Sequence, residues 1–208
     1  MLSALSAHLQ LATADFALFS AFCSSMRIND GLTRCAHDFV WFNVRALRDA
    51  AMSHLYRLYD TDRRAISLSK YVKAVAHDSK QTRDDLKSVS KENQAVKKLI
   101  RLRHEAISHT SEHVLDRGLD NYLNDYPISL EEMQGLLNLA RTLLERFSGE
   151  PLALATPAFS QQAQADVFAL AEYLKDARPT QYGIERVVLE IDGEPRSKGV
   201  KGLTSASN

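Results

Sequence analysis

Glycine and proline are the scarce residues of this chain. Its 208 residues include 8 glycines and 5 prolines; the first proline is Pro127, and only Gly31 and Gly118 precede it. Breakers this rare make long helices the economical conformation of the first two-thirds of the chain. Cysteine is nearly absent as well. Cys23 and Cys35 are too far apart for a Cys-x-x-Cys metal or redox pair and too few for a disulfide framework, so both are expected as reduced, packed thiols. No stretch reaches the roughly 18 uninterrupted apolar residues of a membrane span, which excludes a membrane protein. The apolar N-terminal run has no basic leader and carries Asp15, which argues against a secretory signal and makes the cytoplasm the expected location. Neither sign of charge prevails: 26 Lys and Arg face 26 Asp and Glu. With 45% hydrophobic residues, the chain has the composition and length of a globular protein that buries a real core.

Hydrophobic spacing supplies the helices. Leu2, Leu5, Leu9, Ala12, Phe16, Phe19, Cys23 and Met26 alternate steps of three and four, a heptad-like seam. Asp15 is the only acidic or basic residue before Arg27, so this helix is expected to pack either in the core or across a dimer contact. A second helix is read from about Leu32 to Tyr59, its apolar side formed by Phe39, Ala46, Leu47, Ala50, Leu55 and Leu58 and widened by Trp41 and Phe42, with Asp60-Thr61-Asp62 ending it. Ser67 is the expected N-cap of a short helix from Leu68 to about Ala76. A third long helix is expected from near Thr82 to Asp85 through about Val114. Ser129 with Glu132 makes a capping box for a fourth, running to about Phe147. A last helix is expected over roughly Gln161 to Ala177. Residues Glu185 to Ile191 are β-prone but have no evident strand partner. The fold class is therefore all-α: an antiparallel bundle of four to six helices over residues 1–150. Residues 151–208 are expected to hold a C-terminal helix and a flexible tail.

Charge is balanced in total but segregated along the chain. From Arg45 to Glu105 there are fifteen Lys and Arg against eight Asp and Glu. Such a stretch either meets phosphate or solvates the outer faces of long helices. Within the third helix, Val96, Ile100, Arg103 and Ile107 share one stripe beside Leu99, Leu102, Ala106, His109 and His113, while Lys97, Lys98, Arg101 and Glu105 fall on the polar side. Arg103 thus occupies an apolar position and needs a partner, either a carboxylate of its own chain or of a second copy, or a phosphate. The zinc-protease pattern fails here, because Ser108 stands four residues after His104 and the second His comes one later. His109 and His113, with Glu105 one turn earlier, have the spacing of a two-His, one-carboxylate metal site. The simpler alternative is that Glu105 pairs with Arg101 and the histidines are partly buried polar residues.

The run Leu102 to His109 resembles the signature of the HEPN superfamily, an Arg followed by a polar residue and then, after four to six residues, a His. The stretch Leu55-Tyr56-Arg57-Leu58-Tyr59-Asp60-Thr61, followed by Ala65-Ile66-Ser67-Leu68, is similar to the segment preceding that motif in the AbiU-like abortive-infection branch. The helix from Ser129 to Phe147 also falls where that branch has one, so the resemblance spans roughly Trp41 to Phe147. It implies an all-α homodimer that brings two motifs into one cleft, either as a metal-independent ribonuclease of toxin or phage-defence type or as a catalytically inactive module that binds nucleotides, RNA or a protein. It also implies Arg103 and His109 as the catalytic pair with His104 assisting, RNA as the partner, an antitoxin as a further partner, and no cofactor or metal. Arg63, Arg64 and Arg101 are the expected phosphate contacts. Asp60 matches the upstream segment and is expected to orient Arg103.

Overall fold

The computed structural model describes residues 1–28, 30–104, 128–152, 158–175, 177–180 and 183–186. The N-terminal seam forms α1, Leu2–Ile28. It is spent on the core: Leu5, Leu9, Ala12, Phe16 and Phe19 are buried. After a short link, α2, Gly31–Tyr59, folds back antiparallel along α1, setting the His8 and His54 rings 5.8 Å apart. The start of α2 also meets the C-terminal helix. A Cβ on Gly31 would lie 2.4 Å from the Leu174 carbonyl oxygen, so only glycine permits that approach.

The core face of α2 is the expected one at Leu47, Leu55 and Leu58 and differs nearer its start. The helix kinks at Ala36, where φ is −143° and ψ 40°. Beyond the kink Val40, Val44, Ala51, Leu55 and Leu58 are buried, with Leu47 packed beside them. At about 100° per residue these six fall in one narrow stripe, and Phe42 then points about 180° away from it. Phe39, Trp41 and Phe42, read from the sequence as apolar-side residues, are 58%, 50% and 73% exposed. Ala46 is exposed too. The two valines set the phase, and the bulkier aromatics are left outside.

The third long helix is divided. After α3, Leu68–Val75, come α4, Lys80–Ser88, and α5, Gln94–Leu102. Side chains make the break without glycine or proline. Asn93 Oδ1 caps α5 by accepting from the Ala95 amide at 3.0 Å, and its Nδ2 donates to the Ser88 carbonyl at 2.9 Å. Ser90 Oγ donates to the Lys87 carbonyl. These are the local bonds by which Ser and Asn compete with a helix. Ser67 does stand at the N-cap of α3, but its side chain makes no capping bond.

The fourth main helix is α6, Leu130–Ser148. It opens with the Ser129–Glu132 capping box and closes on Gly149 at φ 74°. Its buried face, Met133 to Leu144, packs against α2, α3 and α5. Two polar ties hold α6 to its neighbours, one to α2 and one to α4. The buried Tyr59 hydroxyl donates to the Leu136 carbonyl at 2.6 Å. Arg146 Nη1 donates to both oxygens of the buried Asp85, at 2.9 and 2.7 Å. The last helix, α7, Ala158–Leu174, ends short of Ala177 and packs on α1 and α2 through Val167, Ala171 and Leu174. Ala177–Thr180 and Gly183–Arg186 then pair as an antiparallel hairpin, β1 and β2. Of the β-prone residues 185–191 only Glu185 and Arg186 fall in this hairpin, paired with Arg178 and Ala177 across a proline at 179; residues 187–191 lie outside the described residues. The all-α class holds, with this two-stranded hairpin appended. Residues 187–208, including the expected tail, lie outside the described residues. Cys23 and Cys35 are partly buried thiols and form no disulfide among the described residues. Among the described residues no helix is long and apolar enough to cross a membrane.

Candidate active site

The buried residues of α5, Val96, Leu99, Ile100 and Leu102, press one face of the helix against α2 and α6. Arg103 follows at the C-terminal end with helical torsions, φ −63° and ψ −44°, and the chain widens into a π-helical turn at Arg103 and His104. Such turns recur at functional positions. Arg103 is half-buried, as its place in the apolar stripe required. Its guanidinium carbon lies 5.5 Å from the centre of the Tyr56 ring on α2. One guanidinium nitrogen, Nη1, is buried with no hydrogen-bond partner among the described residues. A cation over an aromatic face gains about 0.5–2 kcal/mol, whereas a buried donor left unsatisfied costs about 1–3 kcal/mol and more when charged. The ring offsets only part of the cost, so an anionic oxygen brought to Nη1 would be bound with gain.

His104 is exposed and stands edge-on to the same tyrosine, ring centres 5.8 Å apart at 89°. The Tyr56 hydroxyl lies 3.3 Å from His104 Nε2 and donates to Asp60 Oδ1, also at 3.3 Å. With its one proton directed at Asp60, the hydroxyl oxygen is left to accept from a protonated His104 Nε2. Burial, and then the Asp60 carboxylate, push the Tyr56 phenol above its ordinary range. Tyr56 is therefore a neutral hydrogen-bonding group at physiological pH.

Tyr56 and Asp60 lie one turn apart at the end of α2. Asp60 is the C-cap, and its Oδ1 also accepts from the Asp62 amide at 2.8 Å. Asp62 repeats the pattern, accepting from the Arg64 amide at 2.7 Å, and that bond above all holds its carboxyl below the usual range. Lys70 on α3 donates to the carbonyls of Arg63 and Ala65. The turn carrying Arg63 and Arg64 is thus bonded from both sides while their side chains are exposed.

The structure brings Arg103 and His104 together with Tyr56 and Asp60. It records no contact between that group and Arg63 or Arg64. Arg101 is exposed, away from the buried Leu99 and Leu102. His109 lies outside the described residues, as do Glu105 and His113 of the alternative metal set. Among the described residues no group of three or more His, Cys, Asp or Glu is arranged to hold a metal ion. Tyr56 is the member that sequence reasoning did not single out. Its signal was its place one turn before Asp60 in the segment leading to the motif. A groove between α1, α6 and α7, lined by Phe16, Ala17, Ser20, Leu137, Gln164 and Phe168 among others, holds no titratable side chain among the described residues.

The family match places this helical bundle in the HEPN class. The chain belongs to one family of that class, AbiU2, whose profile matches residues 4–151. The matched region takes in α1 and ends just beyond α6, wider than the span from Trp41 to Phe147 that carries the resemblance in sequence. No curated protein and no solved structure matches the chain.

Proposed function

We propose that this protein is a metal-independent endoribonuclease of toxin or phage-defence type, working as a homodimer whose two motifs share a cleft. The observation that supports it best is the buried, unpartnered Nη1 of Arg103 beside an exposed imidazole, in a chain of a HEPN family. Breaking an RNA strand without a metal requires a proton to leave the 2'-hydroxyl and another to reach the departing 5'-oxygen, while charge grows on the phosphoryl oxygens. Arg103 stabilises that charge. His109 of one copy takes the hydroxyl proton and that of the other supplies the leaving-group proton, imidazole being the side chain that exchanges protons near neutrality. The products are a 2',3'-cyclic phosphate and a 5'-hydroxyl. His104 assists, and Arg63, Arg64 and Arg101 contact the backbone of the RNA.

The test is cleavage of mixed RNAs in EDTA by purified protein freed of any bound partner, with end-group analysis. Arg103→Ala and His109→Ala are each expected to abolish cleavage with the helical circular dichroism intact, and His104→Ala to reduce it less. Because a bound antitoxin would mask activity, wild type and His109→Ala are also compared by expression in bacteria. Growth arrest with RNA fragmentation is expected only for the wild type. No cleavage in either assay, or cleavage surviving both substitutions, refutes the enzyme. RNA binding without cleavage would leave the inactive binding module.

A further inference from the structure

We propose that Asp60 is a positioning residue for His104, acting through the Tyr56 hydroxyl: it keeps the proton of the neutral imidazole on Nε2 and so makes Nδ1 the acceptor that meets the substrate. The proposal rests on the reading above only in taking His104 as part of the site; its own subject is the direction of two hydrogen bonds. It also changes the task of Asp60. The sequence suggested that Asp60 orients Arg103, whereas the structure ties its carboxylate to the Tyr56 hydroxyl and, through it, to His104.

The direction follows from what each atom can give. Asp60 Oδ1 already accepts from the Asp62 amide at 2.8 Å, and an ionised carboxylate has no proton to donate. The proton between Asp60 and Tyr56 is therefore the phenol's, directed at Oδ1 across 3.3 Å. The opposite arrangement would set a phenol lone pair against a carboxylate lone pair. A hydroxyl has one proton and two lone pairs, so the contact of 3.3 Å between the Tyr56 oxygen and His104 Nε2 takes its proton from the imidazole. A neutral imidazole carries one N–H; with it on Nε2, Nδ1 is an acceptor.

His104 needs such a device. It is exposed and lies on the π-helical turn, and among the described residues its hydrogen bond and its ring contact are both with Tyr56. Without that anchor an exposed ring turns and presents either nitrogen. Tyr56 also carries the Arg103 guanidinium over its ring, 5.5 Å from the centre, so one side chain fixes both members of the pair. Their tasks then divide by hydrogen-bond chemistry. Arg103 has only donors and takes anionic phosphate oxygens, whereas His104, through Nδ1, takes a hydroxyl or amino hydrogen of the nucleotide.

The experiment is nitrogen-15 NMR of the full chain with labelled histidine at about pH 8.5, above the ordinary imidazole range. The His104→Ala spectrum identifies the His104 signals among seven histidines. Wild type is expected with the proton on Nε2. Asp60→Ala frees the phenol to donate to the imidazole and is expected to populate the Nδ1–H form. Tyr56→Phe keeps the ring and is expected to give a mixture of both forms. Asp62→Ala removes the next bond of the same turn and is expected to keep the wild-type pattern, which separates a disturbed turn from a lost direction. A wild-type His104 with a proton on Nδ1 overturns the proposal, as does a wild-type pattern in Asp60→Ala or, should that variant not fold, in Tyr56→Phe. In the EDTA cleavage assay Asp60→Ala combined with His104→Ala is expected within about 2-fold of His104→Ala alone, because Asp60 acts through His104. Losses that multiply overturn the positioning role. If the NMR pattern holds and the wild type cleaves no RNA, the ribonuclease falls and the proposal stands.

Discussion

Removing Arg146 should cost this protein more than removing its ion-pair partner Asp85, although each substitution deletes the same contact. The Asp85 side chain is 8% exposed and the Arg146 side chain 43%. Arg146→Ala strands a buried carboxylate whose remaining side-chain donor is Gln81 Nε2 at 3.0 Å. Stranding a buried charge costs about 3–5 kcal/mol; with Gln81 retained, we expect the lower end, about 3 kcal/mol. Asp85→Ala leaves a guanidinium that already reaches water, so its loss is nearer that of one charged hydrogen bond, about 1.5–2 kcal/mol. For a chain of this size 1 kcal/mol corresponds to about 2–4 °C in Tm, giving drops of about 6–12 °C and about 3–8 °C. Urea titration of both single variants and the double variant also yields the coupling energy, expected to be at least ~1 kcal/mol because the two groups touch. Equal costs, a reversed order, or additivity within ~0.3 kcal/mol would refute the stranded-charge reasoning.

Three further outcomes are expected. Burial above all, with the positive charge of Arg57 second, holds His8 and His54 below the ordinary imidazole range. The unfolded chain therefore takes up protons first, and stability should be fully present above about pH 6.5 and fall as pH drops through the folded-state values. Asp15, whose carboxyl burial raises, relaxes part of its own cost at still lower pH. Urea midpoints between pH 7.5 and 5.5 check this, and a His8→Gln, His54→Gln variant with the same slope would contradict it. Tyr59→Phe removes the hydrogen bond to the Leu136 carbonyl without opening a cavity and should cost about 1 kcal/mol by urea titration; a loss above ~3 kcal/mol would mean that the ring had repacked. In the RNA assay Tyr56→Phe should lower the rate less than Arg103→Ala does, since it keeps the ring under the guanidinium and removes only the hydroxyl's bonds to His104 and Asp60. A rate as low as that of Arg103→Ala would make the hydroxyl itself essential.

What the sequence disclosed was whatever lies within one or two helical turns. The α1 seam, the Ser129–Glu132 box and the apolar position of Arg103 are local patterns, and each appears in the fold. The division of the third helix was illegible because Ser88, Ser90 and Asn93 make it with side-chain bonds, and none of them is a strong breaker. On α2 every residue from Phe39 to Phe42 is apolar, so periodicity alone did not tell valine seam from aromatic face; burial against α1 did. The Tyr56–Arg103 contact joins residues 47 apart in sequence, beyond the reach of any helical wheel.

The turn at the end of α2 has an entropic consequence. Its backbone is fastened by Asp60, Asp62 and Lys70 before any ligand arrives, while the Arg63 and Arg64 side chains are exposed and Arg64 Nε rests 3.6 Å from Asp62 Oδ1. An anion captured there would therefore cost rotamer freedom of two side chains, about 2 kcal/mol each at most, and none of the larger cost of ordering a loop. The two exposed arginines stand on a rigid shoulder, Arg64 exchanging its contact with Asp62 for the anion, without asking the fold to move.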